Sequence, residues 1–304
     1  MRIGISVSSS HPGADPRVGA QNMVERARAA RLAQLDSLFV GDHHVTPSPY
    51  YQNTAVLGRM LAEWGAAPFG ALYLLPLWHP VILAEQIATL ASLAPGRFIM
   101  QCGLGDHAQG RALGIDMRQR VPMFEASLGV LQQLWRGERV SEQRFWGLQD
   151  AHIAPLPAEP IDTWVGAIVP AAVDRAARLA QGWLAAPSLK PQAAEAAARQ
   201  YLERCEAHGR PAQAVAIRRD IHIGASAESA RADVAAELDK GYRGIAPEAL
   251  LVGSASEVAA QLERLRQAGY TDVIVRNISS NQSLCLASIE RLAEVRACLP
   301  TAPS

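Results

Sequence analysis

The sequence predicts an α/β protein built as a single (β/α)8 TIM barrel with an insertion after helix four. Short apolar runs alternate with amphipathic helical patterns from one end of the chain to the other. Eight such units fit within 304 residues, a length that suits one barrel. No Gly-x-Gly-x-x-Gly follows the first strand, which weakens the competing doubly wound, dinucleotide-binding sheet.

The elements follow in order. Arg2 to Val7 reads as the first strand, and Asn22 to Leu35 as a helix with Val24, Ala27 and Leu35 toward the core. Ser37 to Val40 is the second strand. It ends in Gly41-Asp42-His43-His44, and a loop holding Pro47, Pro49, Tyr50 and Tyr51 leads to a helix over Thr54 to Trp64. Ala71 to Leu75 is a continuous apolar run, as expected of a strand buried on both faces. Pro80 suits the first position of the next helix, where its missing N–H costs nothing. Val81, Ile82, Ala84, Ile87, Ala88 and Leu90 then recur at helical spacing, and Pro95-Gly96 stops them. Phe98 to Met100 is the fourth strand, and Gly103-Leu104-Gly105 after it lets backbone approach a ligand closely.

Phe124, Leu128, Leu131, Leu134 and Trp135 stripe the fourth helix. Residues 137–160, rich in Trp, His and Pro, read as an irregular insertion and a lid or pocket wall. Asp162 to Val165 is strand five, Ala171 to Ala180 a short helix, and Trp183 to Ala185 strand six. Pro191 to His208 is a helix, Val215 to Ile223 strand seven, and Ser226 to Lys240 its helix. Ser254 with Glu257 three residues on is a capping box ahead of Val258, Leu262 and Leu265, and Gly269 is placed to end that helix. Asp272 to Arg276 is strand eight, and Leu286, Ile289, Leu292 and Val295 mark the closing helix. With no linker and no repeat beyond this alternation, residues 1–304 read as one domain.

Composition removes several classes. Lys and Arg number 29, as do Asp and Glu, so nothing electrostatic recommends a nucleic acid or an anionic membrane as partner. No apolar run is long enough to span a bilayer, and the chain opens on a strand rather than a signal peptide. Cys102, Cys205, Cys285 and Cys298 are scattered without a Cys-x-x-Cys pair. A zinc or disulfide framework is therefore not expected, and the setting reads as reducing and cytoplasmic.

In a barrel, chemistry sits where the strands' carboxyl ends gather. That face would collect Asp42, His43 and His44, then Trp78 and His79, then Asp106 and His107, then Gly166-Ala167 leading into a helix. Successive side chains at a strand end point opposite ways, so one of His43 and His44 faces the mouth. An imidazole there can move a proton; the competing reading is a hydrogen-bonded histidine that shapes the loop. The histidines with Asp42 and Asp106 could bind zinc as in a metal-dependent barrel hydrolase. Adjacent histidines have the wrong spacing for a strand, however, and no metal site is expected. Gly166, Ala167 and the helix after them could hold a phosphate on backbone amides, or form an ordinary tight turn.

Taken together, these pieces resemble the bacterial luciferase-like monooxygenase superfamily. The resemblance rests on Asp42-His43, on Leu75-Pro76-Leu77-Trp78-His79-Pro80 with Ala84 to Leu90, and on Pro95-Gly96-Arg97-Phe98. It rests also on Gly103-Leu104-Gly105, the helix from Phe124-Glu125 to Leu134-Trp135, Ile161 to Gly166, and Val252 to Val258. It implies a (β/α)8 barrel that binds FMN or the deazaflavin coenzyme F-420, with His43 at the catalytic position, Asp42 beside it, and Gly166 and Ala167 on the cofactor phosphate. It also implies a cis peptide near Ala71-Leu72 backing the flavin ring. Two departures stand out. Leu104 takes the place of the luciferases' phosphate-binding arginine, and Gln181-Gly182-Trp183 replaces Asp-Gly-Trp.

The expected activity is an oxidoreductase, either a reduced-FMN monooxygenase served by a separate flavin reductase or a coenzyme F-420-dependent hydride-transfer enzyme. In the second case Asp106 would be a general acid or base. Tyr50, Tyr51, Trp78, His107 and Trp146 would wall a pocket for a small organic substrate, and a homodimer is expected by analogy. A catalytically degenerate flavin-binding protein is the alternative.

Overall fold

The computed structural model describes residues 1–299. The chain runs β1 (Arg2–Val7), α1 (Pro16–Leu32), β2 (Ser37–Val40), α2 (Asn53–Trp64), β3 (Phe69–Leu74), α3 (Pro80–Leu93) and β4 (Phe98–Gly103). Next come α4 (His107–Ala112), α5 (Arg120–Trp135), β5 (Val140–Glu142), β6 (Leu148–Ala151), β7 (Asp162–Gly166), α6 (Pro170–Leu179), β8 (Gly182–Ala185) and α7 (Pro191–Ala207). It closes with β9 (Ala214–Ile223), α8 (Ala227–Asp233), α9 (Ala235–Asp239), β10 (Leu251–Gly253), α10 (Ala255–Gln267), β11 (Asp272–Asn277), α11 (Gln282–Glu290) and α12 (Leu292–Cys298).

The main sheet has the order β10-β9-β11-β1-β2-β3-β4-β7-β8, and pairing of β8 with β9 closes it. Eight parallel strands therefore form a ring, and β10 adds a short ninth strand beside the end of β9. At the seam Arg2 lies opposite Asp272 in the β1–β11 register, and its guanidinium donates to both carboxylate oxygens at 2.7 and 2.6 Å. This is the expected (β/α)8 barrel.

Strand alternation sorts the side chains into two cores. Outward residues such as Ile3, Ile5, Ala71, Tyr73 and Val273 pack on the helix layer. Inward residues Phe39, Ile99, Trp164, Ala214, Ala216 and Ile274 fill the lower barrel. Space for Trp164 comes from a missing side chain: a Cβ on Gly182 would lie 2.6 Å from its ring. A Cβ on Gly70 would instead clash with the Ile99 carbonyl oxygen on the neighbouring strand. Higher up the same inward columns the residues turn polar, to Ser6, Gln101, Arg218 and Arg276. The barrel is thus plugged below and polar above.

Several boundaries differ from the sequence reading. Helix α1 begins at Pro16 and ends at Leu32, because Asp15 caps it by accepting from Arg17 N and Val18 N. The helix expected over 226–240 breaks at Val234 into α8 and α9, and the closing helix breaks at Arg291. Residues 137–160 are not irregular throughout: β5 and β6 form an antiparallel hairpin. Val140, Leu148 and Ile153 bury themselves in the outer core, and Arg144 reaches back to Gln119 Oε1 at 3.1 Å.

The cis peptide expected near Ala71-Leu72 is absent. β3 pairs with β4 without a break from Phe69↔Phe98 to Leu74↔Gly103, a regular ladder of trans peptides. Among the described residues the cis bond is Ala154-Pro155, and no helix is long and apolar enough to cross a membrane.

Candidate active site

A cavity of about 470 Å³ opens at the carboxyl end of the barrel, above the apolar plug. Its wall takes Ser8, Ser9 and Ser10 after β1, Asp42 and His43 after β2, Leu72 from β3 and Gln101 from β4. Arg218 from β9, Arg276 from β11 and Arg243 from the segment after α9 complete it.

Asp42 organises the β2 side. Its carboxylate is fully buried, and Oδ2 accepts from Leu74 N and from Trp78 Nε1, each at 2.8 Å. Oδ1 lies 3.1 Å from His44 Nε2, close enough for an ion pair although not aligned as a hydrogen bond. The Asp42 carboxylate raises the His44 imidazole above its ordinary value, against the opposing effect of burial. Fixed in this way, His44 packs edge-on to Trp78, with ring centroids 5.4 Å apart. His43 takes the other direction, toward the cavity. Its ring lies 5.8 Å from Tyr50, and its carbonyl accepts from Gln52 Nε2 at 3.3 Å. The turn that separates the two histidines from Thr46 holds Val45 at φ +50°, a sterically costly conformation for a β-branched residue.

Asp106 is the N-cap of α4. Oδ1 accepts from Ala108 N at 2.8 Å and Gln109 N at 2.9 Å, and Oδ2 accepts from the Gln109 side chain. The bonds from Gln109 hold this carboxyl below the usual range. Gln109, which the sequence did not single out, also accepts from His44 N at 2.8 Å, so it couples the β4 loop to the β2 loop.

Of the expected pocket walls, Tyr50 lines the cavity. It lies where Gly41 has no side chain: a Cβ there would sit 2.5 Å from its hydroxyl. Tyr51 points the other way, its hydroxyl donating to Pro16 O and its ring meeting His11 edge-on. Trp78 is held by Asp42 behind the wall. His107 is exposed at the start of α4, and Trp146 sits in the β5–β6 turn against Phe145. None of these four lines the cavity, nor does any residue of 137–160. The physical reason is side-chain direction: Asp42 holds Trp78, Tyr51 turns to Pro16, His107 is exposed on α4, and the hairpin buries its apolar side on the helix layer.

The expected cofactor residues divide similarly. Leu72 faces the cavity while Ala71 is buried outward, and Asn53 Nδ2 donates to the Leu72 carbonyl at 2.7 Å. Gly103 and Gly105 lie beside Leu74 and Leu77, with Gly105 at φ +70°. Ala167 N–H is already committed to Leu184 O at 3.3 Å, and its carbonyl accepts from Trp183 Nε1 at 3.0 Å. The adjoining helix α6 has no side-chain cap, and Ile168 and Val169 before it expose large apolar side chains. Uncapped amides beside exposed apolar groups suit the phosphate and ring of a flavin-type cofactor.

The far side of the mouth holds what sequence reasoning missed. Asp220 is fully buried and accepts from Arg218 Nε at 3.0 Å and from the Tyr242 hydroxyl at 2.9 Å, with Arg243 Nε at 3.9 Å. Arg276 donates to Ser8 Oγ at 3.1 Å, and burial lowers its guanidinium to about 10. Arg218 and Arg243 thus approach Asp220, and Arg276 lines the same cavity. In the same cavity Arg276 Nε, Gln101 Nε2 and Ser9 Oγ are buried without a hydrogen-bond partner. Orphaned buried polar atoms are costly, and a polar ligand would satisfy them. The signal available in the sequence was charge inside apolar strands: Arg218, Asp220 and Arg276 interrupt runs of Ala, Val and Ile. His43, His44, His79 and His107 do not come together, and among the described residues no three His, Cys, Asp or Glu side chains form a metal-binding group.

Comparison with known proteins adds independent findings. Residues 1–248 match the family described as luciferase-like monooxygenase. An F420-dependent glucose-6-phosphate dehydrogenase of Nakamurella multipartita is 31% identical over 186 residues, 56% of this chain and 55% of that protein. The chain spans about half the length of the curated relatives it matches. An F420-dependent secondary alcohol dehydrogenase in complex with an F420–acetone adduct superposes with a TM-score of 0.81 at 18% identity, over 99% of both chains. The oxygenating constituent of 3,6-diketocamphane monooxygenase from Pseudomonas putida, in complex with FMN, does so with the same TM-score, identity and coverage.

Proposed function

Because this chain belongs to the luciferase-like monooxygenase family, we propose that it is a coenzyme F-420-dependent oxidoreductase. Its substrate on this reading is a small alcohol or carbonyl compound that carries an oxyanion. One observation carries this proposal: Arg218, Arg243 and Arg276 line, with Asp42, a mouth cavity whose Arg276 Nε, Gln101 Nε2 and Ser9 Oγ lack partners. The curated relatives' F420 dependence and phosphorylated sugar substrate support the same choice. So does Leu104, which leaves the β4 loop without the arginine that luciferases use on FMN.

In ring order, β4 and β7 lie across the mouth from β11 and β1, and β9 follows β7 after β8. On the β4–β7 side, Gly103, Gly105, Gly166 and the uncapped start of α6 would hold the cofactor, with Leu72 against its ring. When bound, a deazaflavin would supply a hydride acceptor or donor. Elsewhere around the mouth Arg218, Arg243 and Arg276 would grip the oxyanion and set the reacting carbon beside His43. In the oxidative direction His43 would accept the substrate's hydroxyl proton at Nε2 or Nδ1. Asp42 fixes the loop that aims His43, through Leu74, Trp78 and His44. Asp106 is ionised and committed as a helix cap, a disposition suited to anchoring α4 rather than to delivering a proton.

Titrating the protein with coenzyme F-420 and with FMN, and following the absorbance of each, tests the cofactor. Preference for FMN would overturn it. His43→Ala should abolish turnover and leave cofactor affinity within about tenfold, or ~1.4 kcal/mol. Arg276→Met should raise KM for an anionic substrate while cofactor affinity stays unchanged. A loss of cofactor binding in Arg276→Met would assign the arginines to the cofactor instead.

A further inference from the structure

A second cavity, of about 740 Å³, lies outside the barrel between α7, α10 and the segment around β10. Arg219 forms part of its floor. Strand alternation turns this residue outward where Arg218 turns inward, and it is only 2% exposed. Its Nη1 donates to Pro187 O at 2.9 Å, and among the described residues its other two nitrogens make no hydrogen bond and no carboxylate pairs with it. With a single protein acceptor, this guanidinium leaves donors free to face a ligand in the cavity.

The start of α7 borders the same cavity at Pro191, Gln192 and Glu195. This helix has 17 residues, and its N-cap, Lys190, offers no side-chain acceptor. The first-turn N–H groups of Gln192 and Ala193 thus have no acceptor within the helix, and the helix dipole adds partial positive charge there. The rim holds Glu195, Glu248 and Arg264, while Arg231 pairs with Glu257 at 3.6 Å; Arg219 and the helix start are the positive groups deeper in the cleft. Leu238, Leu250 and Leu265 give the remaining wall an apolar character.

We propose that this outer cleft is a second ligand site, separate from the barrel mouth, for a small amphipathic anion. Its oxyanion would sit between Arg219 and the first turn of α7, and its apolar body along Leu238, Leu250 and Leu265. A cation alone would bind any anion from either side of the protein, whereas the apolar wall selects one with a hydrocarbon body.

Octanoate, octanol and inorganic phosphate serve as probes, read by calorimetry on the intact protein. Octanoate should bind more tightly than either of the others. Arg219→Gln keeps a donor for Pro187 O and should weaken octanoate by about tenfold or more, the loss of a charge-assisted contact. Gln192→Glu alters an exposed residue, keeps the fold, and should weaken it similarly by placing a carboxylate at the helix start. Arg276→Met should leave octanoate binding as it is. Equal binding of octanol, or sensitivity to Arg276→Met instead of to Arg219→Gln and Gln192→Glu, would overturn the proposal, as would failure of octanoate to bind at millimolar concentration.

Discussion

Replacing Asp42 by asparagine isolates what its buried carboxylate does. Oδ2 accepts two N–H groups at 2.8 Å, from Leu74 N and Trp78 Nε1. Hydrogen bonds to a charged group contribute about 1.5–3 kcal/mol each, and neutral ones about 0.5–1.5 kcal/mol. An asparagine oxygen in the same place keeps both bonds but not their charge, so the expected loss is about 2 kcal/mol. Its amide would face His44 Nε2 as a donor, and the ring would no longer be held above its ordinary value. The sign of the pH effect follows. His44 is raised in the folded protein, so its stabilisation is complete below the unfolded value and lost as pH rises through the folded one. The stability gap between wild type and Asp42→Asn should therefore be widest in mildly acidic solution and narrow above the raised His44 value. Urea unfolding across pH measures the gap, and NMR titration of His44 measures the imidazole. A variant within ~0.5 kcal/mol of wild type, with His44 titrating unchanged, would refute the assignment of Asp42 as the residue that fixes this loop.

Gly70→Ala would drive a Cβ into the Ile99 carbonyl oxygen and prise β3 from β4; a melting scan should show a loss well above the ~1–3 kcal/mol of ordinary overpacking. Trp183→Phe removes the donor to Ala167 O, leaving that carbonyl unpartnered at a cost of about 1–3 kcal/mol. Coenzyme F-420 titration should show weaker binding as the 166–169 turn loosens. Ser254→Ala deletes a capping box in which Ser254 Oγ accepts from Glu257 N at 3.3 Å and Glu257 accepts from Ser254 N at 3.0 Å. Denaturant unfolding should record about 1 kcal/mol.

The fold was legible because burial writes period and length directly into a strand. The barrel strands are rich in Ala, Val, Ile, Leu and Phe and lie between helical stripes, although Arg218, Asp220 and Arg276 interrupt two of them. The helix starts were less so. The true start of α1 was marked by Asp15-Pro16, a cap followed by proline, but its polar first turns carry no apolar stripe. The 137–151 hairpin was obscured because each of its strands is only three or four residues long. In the site, Asp42, His43 and His44 are consecutive, so one strand end revealed them together. Arg218, Arg243 and Arg276 meet only after the ring closes, and no local pattern links them. Tyr51, Trp78, His107 and Trp146 were drawn to the pocket by residue type, but side-chain direction, which type does not encode, sends them elsewhere.

The division of the mouth into two halves has a practical corollary for redesign. Groups suited to the cofactor lie on β4 and β7, while the anion-facing arginines lie on β9, β11 and the segment after α9. On the proposed reading, libraries confined to Arg218, Arg243 and Arg276 would explore new substrates without disturbing cofactor loading. The same separation would let selection in a lineage exchange one clientele for another while the redox half stayed constant.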